Sequence, residues 1–145
     1  MYIKQLSIFV ENKPGRLAEI TAVLEQNKID IRALSISDTK DFGILRLIVT
    51  DPGVAEKSLK EAGYTVSLTQ VIAIGIADEP GSLAKAMSIL YNSHVSVEYM
   101  YAFLSKTNNN ASVILRVNDN AQAVEALASG GIKILQDDEV RSLEF

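Results

Sequence analysis

Two short turns of similar sequence carry the residues of this chain that could do chemistry. The first reads "ENKPGRLAEI" at residues 11–20 and the second "ADEPGSLAKA" at residues 77–86, so that Gly81 stands 66 positions after Gly15. Each Pro-Gly pair is predicted to join a strand to a helix. A glycine lets another group approach its backbone closely, and the first N–H groups of a helix have no partner inside it. The turns therefore predict a small anion site suited to a carboxylate.

A short polar residue precedes each of these glycines. Asn12 and Asp78 lie three residues before the glycine, where their side chains can cap the turn or accept hydrogen bonds from a ligand's ammonium group. A purely structural interpretation competes with this one, because duplication of a fold copies its connecting turns as well as its sites. The motif by itself favours neither interpretation.

Composition argues against other kinds of site. The 145 residues contain no cysteine and a single histidine, His94, which is predicted to lie exposed at the end of a helix. Glycine-rich phosphate loops and a serine nucleophile elbow are missing, and the acidic runs at 78–79 and 137–139 are interpreted as solvated. We therefore expect no catalytic residues, no metal site and no cofactor.

Charge and hydropathy argue against nucleic acid and membranes as partners. The net charge of −4 and the pI of about 5.0 do not suit a surface that follows phosphates. No apolar stretch reaches the ~18 residues of a membrane span, and the first residues lack the features of a signal peptide. A soluble cytoplasmic protein is expected.

The two turns belong to a repeat that covers most of the chain. Alternating apolar residues predict a strand over 3–10, and Leu17, Ile20 and Leu24 at helical spacing predict a helix over 15–27. Two strands joined by a hairpin, a second helix and a short last strand follow. Their predicted residues are 29–37, 44–50, 51–63 and 64–68.

This βαββαβ order recurs in the second half of the chain, at an offset of 66 that becomes 68 after the loop "KTNNNA". It predicts an α+β fold of two ferredoxin-like units, each an antiparallel sheet with helices on one face. We place the units at 1–69 and 70–145. The connection "YTVSLTQVIAIGI" has no flexible break, so the units are expected to share an interface at a fixed angle.

One predicted strand is apolar on both faces. In "VSVEYMYAFL", Tyr99, Tyr101 and Phe103 alternate with Met100 and Ala102. A sheet with one wet face should alternate apolar with polar residues. A second copy of the chain is therefore expected to cover the aromatic face, giving a homodimer or a larger assembly, although ordinary exposed aromatic residues are the alternative.

The stretch "ENKPGRLAEITAVLEQNKIDIRAL" resembles the first half of an ACT domain, in which N-x-P-G-x-L-A leads into a helix and then a strand. The stretch "DEPGSLAKAMSILYNSHVSVEYM" resembles it with Asp at the Asn position. The resemblance extends over nearly the whole chain as two tandem units. It implies a small-molecule module of the kind that often binds amino acids and regulates biosynthetic enzymes. The ligand of such modules commonly lies where two ACT domains meet, between this turn and the strand after the helix of a neighbour.

The resemblance also implies a set of ligand-binding residues in each unit. In the first unit these are Asn12, Gly15, Arg16, Leu17, Asp30 and Ile31. In the second unit they are Asp78, Gly81, Ser82, Leu83, Ser96 and Val97. The turns differ in charge, with Lys13 and Arg16 in the first and Asp78 and Glu79 in the second, so the two sites need not bind the same ligand.

These observations favour a non-enzymatic sensor that binds an amino acid at the interface between ACT units. One alternative is a regulatory subunit that acts on an amino-acid biosynthetic enzyme mainly by protein contact, through its apolar sheet face. A small ferredoxin-like enzyme is less favoured, because the sequence shows no convergent acid, base or nucleophile.

Overall fold

The computed structural model describes residues 2–38, 41–104 and 109–142 and arranges them as strands and helices. The strands are β1 (Ile3–Glu11), β2 (Ile31–Asp38), β3 (Phe42–Val49), β4 (Thr65–Ala77), β5 (Val97–Leu104), β6 (Asn110–Val117) and β7 (Lys133–Leu135). The helices are α1 (Arg16–Gln26), α2 (Pro52–Glu61), α3 (Ser82–Asn92), α4 (Asn120–Ser129) and α5 (Asp137–Arg141). The order β1-α1-β2-β3-α2-β4 and its repetition confirm the predicted fold class.

The chain divides into two compact units. The N-terminal unit is Lys4–Thr69, and the C-terminal unit is Gln70–Phe145 together with Met1–Ile3. The boundary falls inside β4, which continues without a break where the sequence predicted two strands in succession. Its β-branched residues and the lack of any glycine before Gly75 explain this continuity.

The N-terminal unit has the strand order β2-β3-β1-β4. In this antiparallel arrangement Val10 of β1 lies opposite Gly43 of β3, and Ile36 of β2 lies opposite Leu45 of β3. Apolar side chains on one face of the sheet meet the inner faces of α1 and α2 in a closed core. Its buried members are Leu6, Ile8, Val10, Ile20, Leu24, Ile29, Leu45, Leu47, Val49, Ala55, Leu59 and Val66.

The C-terminal unit repeats this arrangement with β4 paired to both β6 and β7, and with β5 outside β6. Helices α3 and α4 supply the other half of its core. The buried members of this core are Ile72, Ile74, Ala86, Leu90, Val95, Val113, Leu115, Val117, Ala123 and Leu127. In both units the strand that follows the first helix lies at the edge of the sheet.

The first two helices of each unit begin in different ways. Asp51 caps α2, because its side-chain Oδ1 accepts a hydrogen bond from the Val54 backbone N–H at 3.2 Å, and Asp119 caps α4 in the same manner. In contrast, α1 and α3 begin at Gly15 and Gly81 without a side-chain cap. The Pro-Gly turns therefore leave two helix N-termini open, which a purely structural connection does not require.

The aromatic face of β5 is partly buried within one chain, and its cover by a second copy stays a prediction. The cross-strand partners of Tyr101 and Phe103 are Ile114 and Ser112, which are 0% and 6% exposed within a single chain. The aromatic residues themselves are partly buried. It is Met100, on the opposite side of the edge strand, that lies 43% exposed.

Helices α1 and α3 contain 11 residues each. In the described part of the chain, no helix is long and apolar enough to cross a membrane.

Candidate functional site

The first Pro-Gly turn is built around a left-handed glycine. Gly15 is the N-cap of α1, with φ 89° and ψ −12°, a conformation that L side chains rarely adopt. A Cβ placed on Gly15 would meet no atom within 4 Å. Glycine is therefore required by the backbone angle, and the space in front of it is open to another molecule.

Backbone hydrogen bonds hold this turn in place. The Asn12 N–H donates to the carbonyl oxygen of Asp41 at 3.0 Å, and the Glu19 N–H donates to that of Gly15 at 2.9 Å. Among the described residues, the Leu17 N–H makes no hydrogen bond. The turn thus presents a helix N-terminus with a free N–H donor, which is the geometry that the predicted anion site requires. The Asn12 side chain is exposed and does not cap the helix.

A small hollow, here called the turn hollow, lies between this turn and the sheet. It has a volume of about 80 Å³. Its walls include Asn12, Arg16 and Leu17 from the turn and Ile36 and Gly43 from the sheet. Leu17 and Ile36 are 45% and 49% exposed, so the hollow has an apolar rim. Ligand pockets usually enclose about 300–1,000 Å³, so the turn hollow needs a second wall to enclose a ligand.

The predicted residues of the N-terminal unit do not all meet at the turn hollow. Asn12, Arg16 and Leu17 line it, and Gly15 lies in the same turn. Ile31 is at the other end of β2, seven residues before Asp38, which is the strand's end nearest the turn. That separation is roughly 23 Å at ~3.3 Å per residue. Within one unit, Ile31 and its neighbour Asp30 therefore cannot reach a ligand bound at the turn.

The second Pro-Gly turn repeats the geometry of the first. Gly81 has φ 94° and ψ −16°, and a Cβ there would also meet no atom within 4 Å. The Asp78 N–H donates to the Asn109 carbonyl oxygen at 2.8 Å, and the Lys85 N–H donates to that of Gly81 at 3.0 Å. Leu83, like Leu17, is exposed, at 37%.

The remaining predicted residues of the C-terminal unit divide in the same way. Ser82 is the first residue of α3 and lies beside the turn. Val97 begins β5 opposite Val117, and the backbone N–H of Ser96 donates to the Asn118 side-chain Oδ1 at 2.8 Å. Ser96 and Val97 thus lie at the end of β5 that is remote from the turn, as Asp30 and Ile31 do on β2.

The cations at the first turn have acidic partners. The Arg16 Nη1 lies 3.2 Å from Glu19 Oε2, and its Nη2 lies 3.9 Å from Glu11 Oε2. The Lys13 Nζ lies 2.9 Å from the same oxygen of Glu11, and this hydrogen bond is the main reason that the pKa of Glu11 lies below its ordinary value. Part of the positive charge at the turn is therefore offset before any ligand binds.

A tyrosine from outside the motif joins this network. The Tyr64 hydroxyl donates to Glu19 Oε2 at 2.6 Å. This hydrogen bond, followed by that from Arg16, lowers the pKa of the Glu19 carboxyl, while burial and then Glu19 raise the pKa of Tyr64. Tyr64 was not predicted as a site residue, because no local pattern links residues 45 positions apart. Ile36 was not predicted either, because its place beside the turn depends on β2 lying parallel to β1.

Metal ligands do not cluster in the described residues: no group of three or more His, Cys, Asp or Glu side chains could hold a metal ion.

Sequence comparison decides the family. The family model described as an ACT domain pair matches residues 1–143. The chain belongs to the ACT domain family. No curated protein matches it significantly in sequence.

Solved structures resemble this ACT domain pair over most of its length. A protein from Bacteroides thetaiotaomicron is 42% identical with a TM-score of 0.93, and the alignment covers 99% of this chain and 98% of that one. The ligand-free regulatory subunit of aspartate kinase from Thermus thermophilus is 16% identical with a TM-score of 0.65, covering 88% and 91%. Aspartate kinase from Clostridium acetobutylicum is 15% identical with a TM-score of 0.54, covering 89% of this chain and 33% of the enzyme. At these low identities the two kinase proteins share the fold alone with the ACT pair.

Proposed function

We propose that this ACT pair is a non-enzymatic regulatory protein that binds an amino acid at the turn hollow, beneath an ACT unit from a second copy of the chain. The observation that carries the proposal is the open N-terminus of α1 behind Gly15. It combines a free N–H donor, a left-handed glycine and unfilled space. These features suit a carboxylate, which gains both hydrogen bonds and the favourable field of the helix.

The surroundings of the turn suit the other two parts of an amino acid. The Asn12 side chain is exposed, and its carbonyl oxygen can accept hydrogen bonds from an ammonium group. Leu17 and Ile36 offer exposed apolar surface to an aliphatic or aromatic side chain. A ligand with all three groups matches the site better than a simple carboxylate does.

A second copy is proposed because Ile36 of the edge strand β2 lines the turn hollow and is itself exposed. Leu34 and Ile36 of β2 are 59% and 49% exposed. Exposed apolar side chains on an edge strand favour association with another chain. If β2 strands from two copies paired in antiparallel fashion, the first residues of β2 in one copy would lie next to the turn of the other. The predicted contribution of Asp30 and Ile31 requires such a neighbour.

We propose a weaker site, or one for a different ligand, at the second turn. Its geometry matches the first, but Asp78 and Glu79 place negative charge in front of the helix N-terminus. A ligand carboxylate would be repelled there. Ser82, Leu83, Ser96 and Val97 complete the candidate residues of this site.

We propose that the protein regulates a metabolic enzyme and that it does so in the cytoplasm. The support is the family and the fold shared with a regulatory subunit of aspartate kinase. Regulation through protein contact alone is the second candidate, favoured by the same exposed edge strand.

A thermal-shift screen against the common amino acids tests the proposal. A ligand at 100 times its Kd contributes about 2.7 kcal/mol to stability, which gives a clear rise in melting temperature. We expect one amino acid, or a few of related chemistry, to produce that rise. A flat response to all of them would contradict amino-acid binding and favour regulation by protein contact.

A further inference from the structure

A larger cleft lies wholly inside the N-terminal unit and shares two of its lining residues, Glu11 and Arg16, with the turn hollow. It has a volume of about 350 Å³, within the range of small-molecule sites. We call it the aromatic cleft, and six aromatic or charged side chains line it. They are Phe9, Glu11, Arg16, Glu19, Phe42 and Tyr64.

Two phenylalanine rings form one wall of the aromatic cleft. Phe9 is 50% exposed and Phe42 is 41% exposed, although both are large apolar side chains. Their ring centroids lie 5.1 Å apart, with an angle of 42° between the ring planes. The pair therefore presents joined aromatic surface to the cleft, and ring faces of this kind attract both apolar groups and cations.

The charged side chains of the cleft carry one net negative charge. Glu19 is occupied by the Tyr64 hydroxyl and by Arg16, at 2.6 and 3.2 Å. The closest cation to Glu11 is Lys13, whose side chain is 65% exposed. An exposed ion pair of this kind contributes little stability, so a ligand's ammonium group can replace Lys13 at the Glu11 carboxylate.

The C-terminal unit has a hollow at the same position but with different chemistry. It measures about 250 Å³. Gly75, Ala77, Lys85 and Ile132 stand there at the positions of Phe9, Glu11, Glu19 and Tyr64. The fold of an ACT unit therefore does not require the aromatic pair or the Glu19–Tyr64 hydrogen bond. They are properties of the N-terminal unit alone, which points to a role that the second unit does not share.

We propose that the aromatic cleft is a second small-molecule site, specific for an amine that carries an aromatic or other apolar body. The ammonium group binds the Glu11 carboxylate, and the body of the ligand lies on the Phe9–Phe42 pair. This site differs from the turn hollow in its ligand, which needs no carboxylate. Glu11 and Arg16 line both hollows, but Phe9, Phe42 and Tyr64 line only the aromatic cleft, and Asn12, Leu17 and Ile36 line only the turn hollow. Variants at these unshared residues therefore test the two sites separately.

Phenethylamine is the probe, and the backbone amide signals of the labelled full-length protein in NMR spectra are the readout. Saturable shifts are expected at Gly63 and Tyr64, which border the cleft, with none at Gly131 and Ile132 of the second unit. Phenylacetate has a similar size and the opposite charge. Its affinity should be lower than that of phenethylamine by at least about tenfold.

Two variants locate the binding. Glu11→Gln removes the charge and Phe9→Ser removes half of the aromatic wall, and each should weaken phenethylamine binding about tenfold or more. Both positions are on the surface, so the fold should persist. The proposal is overturned if the amine causes no saturable shifts up to its solubility limit. Three other results would also overturn it: an affinity for phenylacetate equal to that for phenethylamine, an amide shift at Gly131 as large as that at Gly63, or unchanged affinity for phenethylamine in the folded variants.

Discussion

At the scale of single residues, Gly15 serves the backbone and the proposed ligand at once. Its φ of 89° demands glycine, and its lack of a side chain leaves the helix N-terminus open. Gly15→Asp should abolish amino-acid binding at the turn, because the new carboxylate occupies the ligand's place and takes the free N–H groups itself. Strain at the left-handed position should also lower stability by about 1–2 kcal/mol. Calorimetric titration and urea unfolding measure the two effects.

Gly131→Asp is the matched control for this substitution. Gly131 has φ 82°, and a Cβ there would also meet no atom within 4 Å, but it lies at the end of α4 in the other unit. It should suffer similar strain and still bind the amino acid. If folded Gly15→Asp protein bound the ligand as tightly as the Gly131→Asp control, the turn would be a connection and nothing more.

The hydrogen bond between Tyr64 and Glu19 should make stability depend on pH in both acid and base. The pKa of Glu19 is lowered from 4.5 in the folded state, so its contribution is complete above about pH 4.5 and is lost as pH falls through the lower folded value. The pKa of Tyr64 is raised from 10.0, so its contribution is complete below about pH 10 and is lost as pH rises through the higher folded value.

Urea unfolding at a series of pH values tests this pair. Glu19→Gln should flatten the acid side of the stability profile, and Tyr64→Phe should flatten the basic side. Glu25→Gln removes another exposed carboxylate from the same helix and is the control. An acid profile of Glu19→Gln that coincides with that of the wild type would contradict the assigned hydrogen bond.

At the scale of secondary structure, the helix ends show where the chain is strained. Lys28 and His94 follow α1 and α3 with φ 57° and 58°, in the left-handed region that glycine prefers. Lys28→Gly and His94→Gly should each stabilise the protein by about 0.5–1 kcal/mol, because relief of this strain exceeds the added freedom of the unfolded chain.

Replacing a left-handed glycine by alanine should have the opposite effect on stability. Gly131 occupies the corresponding position after α4, so Gly131→Ala should destabilise the protein by about 1 kcal/mol. Chemical unfolding gives all three values on one scale. Loss of stability in Lys28→Gly would contradict the assignment of strain to these positions.

The secondary-structure elements were largely predictable from the sequence, because the signals that specify them are local. The alternation in β1, the helical spacing of Leu17, Ile20 and Leu24, and the Asp51 cap are local signals, and each has its predicted structure. The continuity of β4 was not predicted, because a repeat suggests a boundary where its second copy begins. Nothing local distinguishes a rigid connection from an uninterrupted strand.

The candidate site was only partly predictable. The turn residues are contiguous in sequence and therefore stay together in space. Asp30 and Ile31 follow α1 closely along the chain, yet the helix returns the chain to the far end of the sheet before β2 begins. Ile36 and Tyr64 reach the neighbourhood of the turn only through strand direction and helix packing. Such long-range contacts leave no pattern in a single sequence.

At the scale of the whole molecule, the exposed edge of the N-terminal unit predicts self-association. Leu34 is 59% exposed on β2 but does not line the turn hollow. Leu34→Lys should therefore convert a dimer to monomers by placing a charge in the proposed contact. Leu68→Lys, at a residue 37% exposed on β4, should leave the assembly unchanged. Light scattering after size exclusion measures both, and a wild-type protein that is monomeric at micromolar concentration would contradict the proposed dimer.

The most direct test of amino-acid binding between two copies is calorimetric titration of the Leu34→Lys variant beside the wild type. The titrant is the amino acid that raises the melting temperature most. The wild type should bind one molecule per chain in a saturable manner. The variant keeps every residue that lines the turn hollow and loses only the second wall, so its affinity should fall about tenfold or more. Equal affinity in the wild type and a monomeric Leu34→Lys variant would contradict the proposal that the second copy completes the site.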